Sequence, residues 1–271
     1  MRKLVFLFAL TFALPCWAGV TYTAVTRTIL GSKNSTGDFR VQGWISGKHA
    51  RMDLLQSELP LLESGSFMVT SDGGDTVYLV SPKDKTYERW DMNSMVSGMA
   101  DLMRSMRGEM RVKFEEPKVE KLLEENGPKM QGMPTRHFRY RTSYKASIDM
   151  LDSETISTVM EEDIWTTTAI TEPGVKLFLD RRASTGDAQL DHILEKEMSK
   201  VPGFPMKRVT NTTTQTKKGT TVNRAEMEIV EVKSLEIPEA KFRVPTGFAE
   251  MDPNESGMDR ALHKLQKDKQ R

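Results

Sequence analysis

A long alternation of side-chain types constrains the fold of this 271-residue chain more than any other feature. Polar or charged residues alternate from Arg139 to Asp149 with Phe138, Tyr140, Thr142, Tyr144, Ala146, Ile148 and Met150. A period of two over this length fits a β-strand with one buried and one solvated face. Because a parallel strand is covered on both faces and is apolar throughout, this strand is predicted to belong to an antiparallel sheet.

Shorter strand signals occur on both sides of this segment and are separated by turn residues. The clearest turns are Asp72-Gly73-Gly74 and Ser81-Pro82-Lys83-Asp84, and a further break is expected at Asn126-Gly127-Pro128. About ten strands joined in this way predict a mainly β fold, a large curved antiparallel meander or unclosed half-barrel. The predicted strands are 20–30, 39–45, 49–55, 67–70, 76–80, 86–90, 119–123, 135–150, 155–170, 206–214 and 221–235.

Apolar residues at helical spacing predict three helices that cover the sheet. The first begins at Asn93 or Ser94, and the second follows Asp187. The third begins near Ser256 and makes residues 252–271 a polar C-terminal helix or tail. With no repeat or linker in between, residues 19–251 are predicted to form a single domain.

The N-terminus has the layout of a secretory signal peptide. Arg2 and Lys3 form a short positive head, and an apolar run from Leu4 to Leu14 ends at Pro15. The run is shorter than the roughly 20 residues that span a bilayer, so cleavage between Ala18 and Gly19 is expected rather than a membrane anchor. The mature chain is therefore predicted to lie in the periplasm or outside the cell, without a transmembrane segment.

Composition excludes several classes of function. Cys16 is the only cysteine, and the predicted cleavage removes it, so neither a disulfide nor a thiol nucleophile is expected. A formal net charge of +1 lacks the basic excess of a nucleic-acid-binding domain. The four histidines have no metal-ligand spacing, and no hydrolase or phosphate-loop motif occurs. His137 and the run Glu161-Glu162-Asp163 are therefore interpreted as surface residues, and we predict no enzyme and no cofactor.

A cluster of methionines in the first predicted helix is the most unusual feature of the composition. Because methionine is flexible and polarisable, such a helix suits a lid over an apolar cavity. Two alternatives remain open: the side chains fill a gap between helix and sheet, or their sulfurs bind Cu(I). With Trp90, which directly precedes this segment, the candidate ligand contacts are Trp90, Met95, Met99, Met103 and Met106.

The segment Lys241–Phe248 contains Phe242, Val244, Pro245, Gly247 and Phe248 at the spacing F-x-[IV]-P-x-G-[FY]. This element resembles one found late in an exported bacterial family of unknown function, whose members are similar to the lipoprotein carriers LolA and LolB. The resemblance implies a half-barrel with a concave apolar face covered by helices. In the carriers that cavity holds acyl chains.

Two functions are consistent with these observations. The first is binding of an apolar ligand, a lipid or acyl chain, in a helix-covered β cavity. The second is a structural or interaction role in the cell envelope, with a filled core and a protein partner. An apolar cavity beneath Met95 to Met106 would favour the first, and a filled core would favour the second.

Overall fold

A computed structural model of the chain describes residues 16–30, 38–57, 63–91, 112–115, 118–148, 154–171 and 202–251. Thirteen β-strands account for most of these residues and form one sheet. They are β1 (Cys16–Leu30), β2 (Phe39–Ser46), β3 (His49–Ser57), β4 (Phe67–Thr70), β5 (Thr76–Ser81), β6 (Thr86–Asp91), β7 (Val112–Phe114), β8 (Lys118–Met130), β9 (Met133–Ile148), β10 (Glu154–Thr167), β11 (Phe204–Thr216), β12 (Gly219–Pro238) and β13 (Ala249–Glu250).

The sheet consists of two antiparallel meanders that meet at one strand pair. Its order is β13-β6-β5-β4-β3-β2-β1-β12-β11-β10-β9-β7, and β8 also pairs with β9. The first meander runs from β1 to β6, the second ends at β12, and β1 pairs with β12 in antiparallel register. The short β13 pairs with β6 in parallel. The prediction of a mainly β fold with a large, unclosed antiparallel sheet is confirmed.

The break predicted at Asn126-Gly127-Pro128 is wrong, because β8 continues through it to Met130. An irregularity in the β8–β9 register between Gly127 and Met130 absorbs the proline. The Thr135 hydroxyl donates a 2.6 Å hydrogen bond to the Pro128 carbonyl across the pair. Strands at or near the edge of a sheet tolerate proline, since an amide facing away from the ladder is not needed for pairing.

The three predicted helices fall on segments that lie outside the described residues. They would occupy parts of 92–111, 172–201 and 252–271, so a helical cover is not supported by the described part of the chain. Within the described ranges the one helical element is a 3-10 helix at Glu239–Phe242. No helix among these residues is long and apolar enough to cross a membrane.

The two faces of the sheet carry different cores. One face, named here the apolar face, holds a cluster that joins β1, β2, β3, β11 and β12; its buried members are Val20, Tyr22, Ala24, Val41, Ile45, Leu54, Ile170, Phe204, Met206 and Ile229. The opposite face holds a second cluster around Phe67, Val69, Val80, Ile237 and Phe242. Strand alternation explains this division, because neighbouring residues of a strand point to opposite faces.

The C-terminal segment 239–251, named here the C-terminal strap, packs on the opposite face of the first meander. It leaves β12 through the 3-10 helix, and Phe242 is 3% exposed within the second cluster. The Ala249 amide donates to the Lys85 carbonyl at 3.0 Å, and the Met251 amide donates to the Tyr87 carbonyl at 2.8 Å. The strap therefore links the end of β12 to the far edge of the sheet at β6.

Candidate ligand-binding site

A row of apolar residues crosses the apolar face from β5 to β12. Each residue of the row is the cross-strand partner of the next, in the order Leu79, Met68, Met52, Gly43, Tyr22 and Val232. At the ordinary spacing of neighbouring strands the row is about 24 Å long. The two methionines are only half-buried, so they present apolar, adaptable surface.

Gly43 creates the space in which the Tyr22 ring lies. A Cβ atom on Gly43 would be 2.2 Å from Cζ of Tyr22, so the ring covers the β2 backbone at this point. Tyr22 also contacts Phe204 edge to face, with ring centroids 5.3 Å apart. Burial raises the pKa of Tyr22 to about 12, so its hydroxyl stays neutral in this apolar environment.

Trp90 is the one predicted ligand contact that the structure describes. It lies in β6 opposite Val77 and is half-buried. Leu79 pairs with Glu88, two residues before Trp90, so Trp90 also points to the apolar face. Met95, Met99, Met103 and Met106 lie outside the described residues.

The predicted cleavage site lies inside β1. Ala18 pairs with Glu236 and Gly19 pairs with Leu235, both in β12. Cleavage between them would leave β1 as a strand from Gly19 to Leu30, which includes Val20, Tyr22 and the rest of its buried residues.

Stacked cations join the C-terminal strap to the opposite face. The Arg51 guanidinium lies 3.5 Å from the centroid of Phe67, and Lys241 Nζ lies 3.7 Å from that of Trp44. Arg51 Nε donates to Asp53 at 2.5 Å, and Lys241 Nζ is 3.6 Å from the same carboxylate. Burial lowers the pKa of Lys241 and the nearby Arg51 adds to this, while Asp53 acts in the opposite direction. This cluster is structural, since both cations contact Asp53 and each lies over an aromatic ring of the fold.

An open cleft of about 410 Å³ lies between the C-terminal strap and strands β5 and β6. Its aromatic walls are Tyr78, Tyr87, Phe242 and Phe248, and its other lining residues are Ser71, Arg243, Val244, Pro245, Thr246 and Gly247. We name it the aromatic cleft. The sequence singled out the F-x-V-P-x-G-F element as a family resemblance and not as part of a cavity, because β5 and β6 are more than 150 positions away.

His137 is buried, contrary to its interpretation as a surface residue. Its Nδ1 lies 3.1 Å from Glu125 and its Nε2 lies 2.7 Å from Asp163. Its ring stacks on Trp165 with centroids 4.3 Å apart and planes inclined by 3°. The residue is only 8% exposed because β8 and β10 flank β9 on both sides.

Charged side chains continue from this histidine across the opposite face of the second meander. Asp163 accepts a 2.8 Å hydrogen bond from Arg139, Glu161 pairs with Arg141 at 2.7 Å, and Lys207 Nζ lies 2.7 Å from Glu226. The interpretation of Glu161-Glu162-Asp163 as surface residues is wrong for Glu162, which is buried in the interior strand β10. We name this surface the charged ladder.

The described side chains do not form a metal centre. No group of three or more histidine, cysteine, aspartate or glutamate side chains in the described ranges is arranged to hold a metal ion. The acidic groups of the charged ladder instead face arginine, lysine or His137.

Comparison with protein families places the chain in one of them. A family model described as "Domain of unknown function (DUF4412)" matches residues 31–248. The chain belongs to the DUF4412 family. The DUF4412 match begins directly after β1 and ends at Phe248, the last residue of the F-x-V-P-x-G-F element. The family match gives no evidence for the predicted resemblance to LolA and LolB, so that resemblance stays a prediction.

Solved structures give only a distant likeness to this DUF4412 chain. Structures of PNGF-II in the C2 and P21 space groups are 11% and 10% identical to it, each with a TM-score of 0.29. The alignments cover 87% and 86% of this chain but 31% and 32% of the PNGF-II chains, so it spans about a third of their length. A likeness at this level carries no functional argument. A comparison with curated proteins gives no match.

Proposed function

We propose that this DUF4412 protein is exported, cleaved after Ala18, and binds an apolar ligand without catalysing a reaction. The ligand is a lipid or another molecule with an acyl chain, held against the apolar face of the sheet. The Leu79–Val232 row carries this proposal, because it is long, apolar and only partly covered at Met52 and Met68.

The position of Trp90 connects the row to the methionine-rich segment. Trp90 shares the apolar face, and β6 ends one residue later at Asp91. The sequence that follows directly contains Met95, Met99, Met103 and Met106. Methionines on both sides of a ligand would adapt to acyl chains of different length and saturation. We therefore assign the ligand contacts to Trp90 and these four methionines, together with Met52 and Met68.

Native mass spectrometry of the protein purified from a bacterial periplasm tests the proposal. The expected result is a mature chain starting at Gly19 with one bound lipid, which extraction then identifies. The double variant Met99→Glu, Met103→Glu should lose this adduct, because burying two carboxylates against an acyl chain costs more free energy than burial of the chain provides. Its circular dichroism spectrum should stay unchanged.

The matched control introduces two glutamates at apolar residues outside the row. Leu122 and Val222 are exposed, on β8 and near the tip of the β11–β12 hairpin, and Leu122→Glu, Val222→Glu should keep the adduct. The proposal would be contradicted if the wild-type protein had the mass of the chain alone and took up neither a fluorescent fatty acid nor phospholipid from vesicles.

The second candidate function, an interaction protein of the envelope, is supported by the charged ladder. This surface contains ion-paired carboxylate, guanidinium and ammonium groups on the four neighbouring strands β9 to β12, and several of these side chains are about half exposed. Charged groups of this kind select partners and steer association. If the wild-type protein carries no lipid, crosslinking through the ladder lysine Lys207 is the next measurement.

A further inference from the structure

An ion pair interrupts the apolar face in the second meander. Arg208 of β11 is the cross-strand partner of Ile164 in β10 and of Met227 in β12. Directly opposed residues share a face of the sheet, and Met227 packs against the first cluster, so Arg208 belongs to the apolar face. Among the described apolar-face residues of β1, β2, β11 and β12 it is the one cation.

The partner of Arg208 is the buried Glu162. The Glu162 side chain is 5% exposed, whereas that of Arg208 is 44% exposed. The two meet at one point, where Arg208 Nε lies 3.6 Å from Glu162 Oε1. No other ion pair or hydrogen bond joins Arg208 to the described part of the chain, so its two terminal nitrogens are available as donors to a ligand.

Half-buried apolar side chains connect Arg208 with the Leu79–Val232 row. Met227, the neighbour of Arg208, and Val232, the end of the row, both lie in β12 and pack against the first cluster. Their partners in β1 are four positions apart, which places them about 13 Å apart along the sheet. An acyl chain on the row can therefore continue over Val232 and Met227 and end at the guanidinium group.

We propose that Arg208 binds the carboxylate of a fatty acid whose chain lies on the apolar face. The terminal nitrogens of a guanidinium group form a planar fork that donates two parallel hydrogen bonds to a carboxylate. Glu162 contacts the Nε side and holds this fork in place. A carboxylate is favoured over a phosphate, because the planar fork matches its shape and these strands supply no second cation. The inference rests on the proposed function, since it names the polar end of the proposed ligand.

Displacement of Nile red, a neutral apolar dye, from the full-length mature protein tests the inference. Laurate and dodecanol, its uncharged counterpart of the same chain length, serve as competitors. Laurate should displace the dye at about tenfold lower concentration than dodecanol, as expected for charge-assisted hydrogen bonds to a guanidinium group.

The variant Arg208→Gln should remove this preference and leave displacement by dodecanol unchanged. Because it deprives the buried Glu162 of the guanidinium group, the double variant Glu162→Gln, Arg208→Gln is made alongside and should lose the preference equally. Arg141→Gln, at an arginine of similar exposure on the opposite face, is the matched control and should keep the preference.

A preference for laurate that persists in both Arg208 variants would overturn the inference, as would dodecyl phosphate displacing the dye at a lower concentration than laurate. Equal displacement of the dye by laurate and dodecanol from the wild type would overturn the inference alone and leave the proposed apolar site in place. If the wild type bound neither the dye nor either competitor, the proposed function would be contradicted and the inference with it.

Discussion

Gly43 is the position on the apolar face where a single added methyl group has the largest predictable effect. A Cβ there would lie 2.2 to 2.6 Å from three atoms of the Tyr22 ring, and that ring is held by Phe204. We expect Gly43→Ala to lower the free energy of unfolding by about 2 kcal/mol, the usual cost of overpacking a core. Urea denaturation of the two proteins measures the difference.

A double-mutant cycle separates this clash from a general loss of backbone freedom. Removal of the ring in Tyr22→Ala should make Gly43→Ala nearly neutral, because the added methyl group then fills part of the vacated space. A cost that is the same in both backgrounds would contradict the assigned contact.

Asp72 gives the turn between β4 and β5 a dependence on pH. Its carboxylate accepts hydrogen bonds from the Gly74 and Thr76 amides and from the Thr70 hydroxyl, at 2.9 to 3.2 Å. Burial acts to raise the pKa of Asp72, but these hydrogen bonds outweigh it and the pKa is lowered. The carboxylate therefore contributes stability above the pKa of an unfolded aspartate, near 4, and loses that contribution as the pH falls through the lower, folded value.

The variant Asp72→Asn should be about 1 kcal/mol less stable than the wild type at pH 7. The difference should shrink as the pH is lowered below about 4. Thermal unfolding over a series of pH values measures it, with Asp38→Asn, at an exposed aspartate directly before β2, as the control. A difference that persists unchanged at low pH would show that the charge of Asp72 is irrelevant to the turn.

Among the elements, the C-terminal strap is anchored by a single buried side chain, Phe242, which is 3% exposed. Phe242 inserts between Phe67, Val80 and Ile237 and stacks with His49 at a centroid distance of 5.6 Å. We expect Phe242→Ala to cost about 3 to 5 kcal/mol, as is usual for removal of a buried phenylalanine. Urea unfolding followed by circular dichroism measures the loss.

Phe248 provides the comparison within the same element. It is half-buried at the wall of the aromatic cleft, so Phe248→Ala should cost clearly less than Phe242→Ala. Equal losses would mean that the strap is held as a whole rather than anchored at Phe242.

Most strands could be predicted from the sequence because their signals are local. The alternation of side chains predicts β9 to within a few residues at each end. The turn at Asp72 marks the end of β4, and β4 matches the prediction at both ends. The course of β8 through Pro128 could not be predicted, since it depends on that strand lying beside β9 near a sheet edge. The burial of His137 depends likewise on its neighbours Glu125 and Asp163, which lie 12 and 26 positions away.

The candidate site could be predicted only in part, for a related reason. The sequence predicts Trp90 as a ligand contact, and the structure places it on the apolar face. The contact itself stays a prediction. The row through Met52, Gly43 and Tyr22 arises from the register of separate strands, which no single segment encodes. The aromatic cleft combines β5 and β6 with a segment at the other end of the chain, so it follows from topology alone.

At the scale of the whole molecule, the pairing of β1 with β12 makes the two meanders one unit. Thr21 lies in the middle of β1, between Trp44 of β2 and Lys233 of β12. We expect Thr21→Pro to unfold both meanders, because proline in an interior strand removes a ladder hydrogen bond and distorts the pairing. Hydrogen exchange should then show loss of protection in β9 to β11 as well as in β2 to β5.

A proline at the sheet edge serves as the control for this variant. Leu122 of β8 lies at an irregularity where the register passes from Lys121 to Leu123, so Leu122→Pro should leave most of the sheet protected. If Thr21→Pro left β9 to β11 protected, the meanders would be separate folding units.

The joining strands also determine the order of events when the chain is made. β1 leaves the ribosome before the other strands of this sheet, and its partner β12 is about 200 positions later, so synthesis at roughly 5 to 20 residues per second makes that interval at least ten seconds. Throughout it, one side of β1 has no partner and presents unpaired amides and carbonyls to any other strand nearby. We therefore expect this protein to depend on a chaperone that shields β1, and to aggregate through that edge when β12 is deleted.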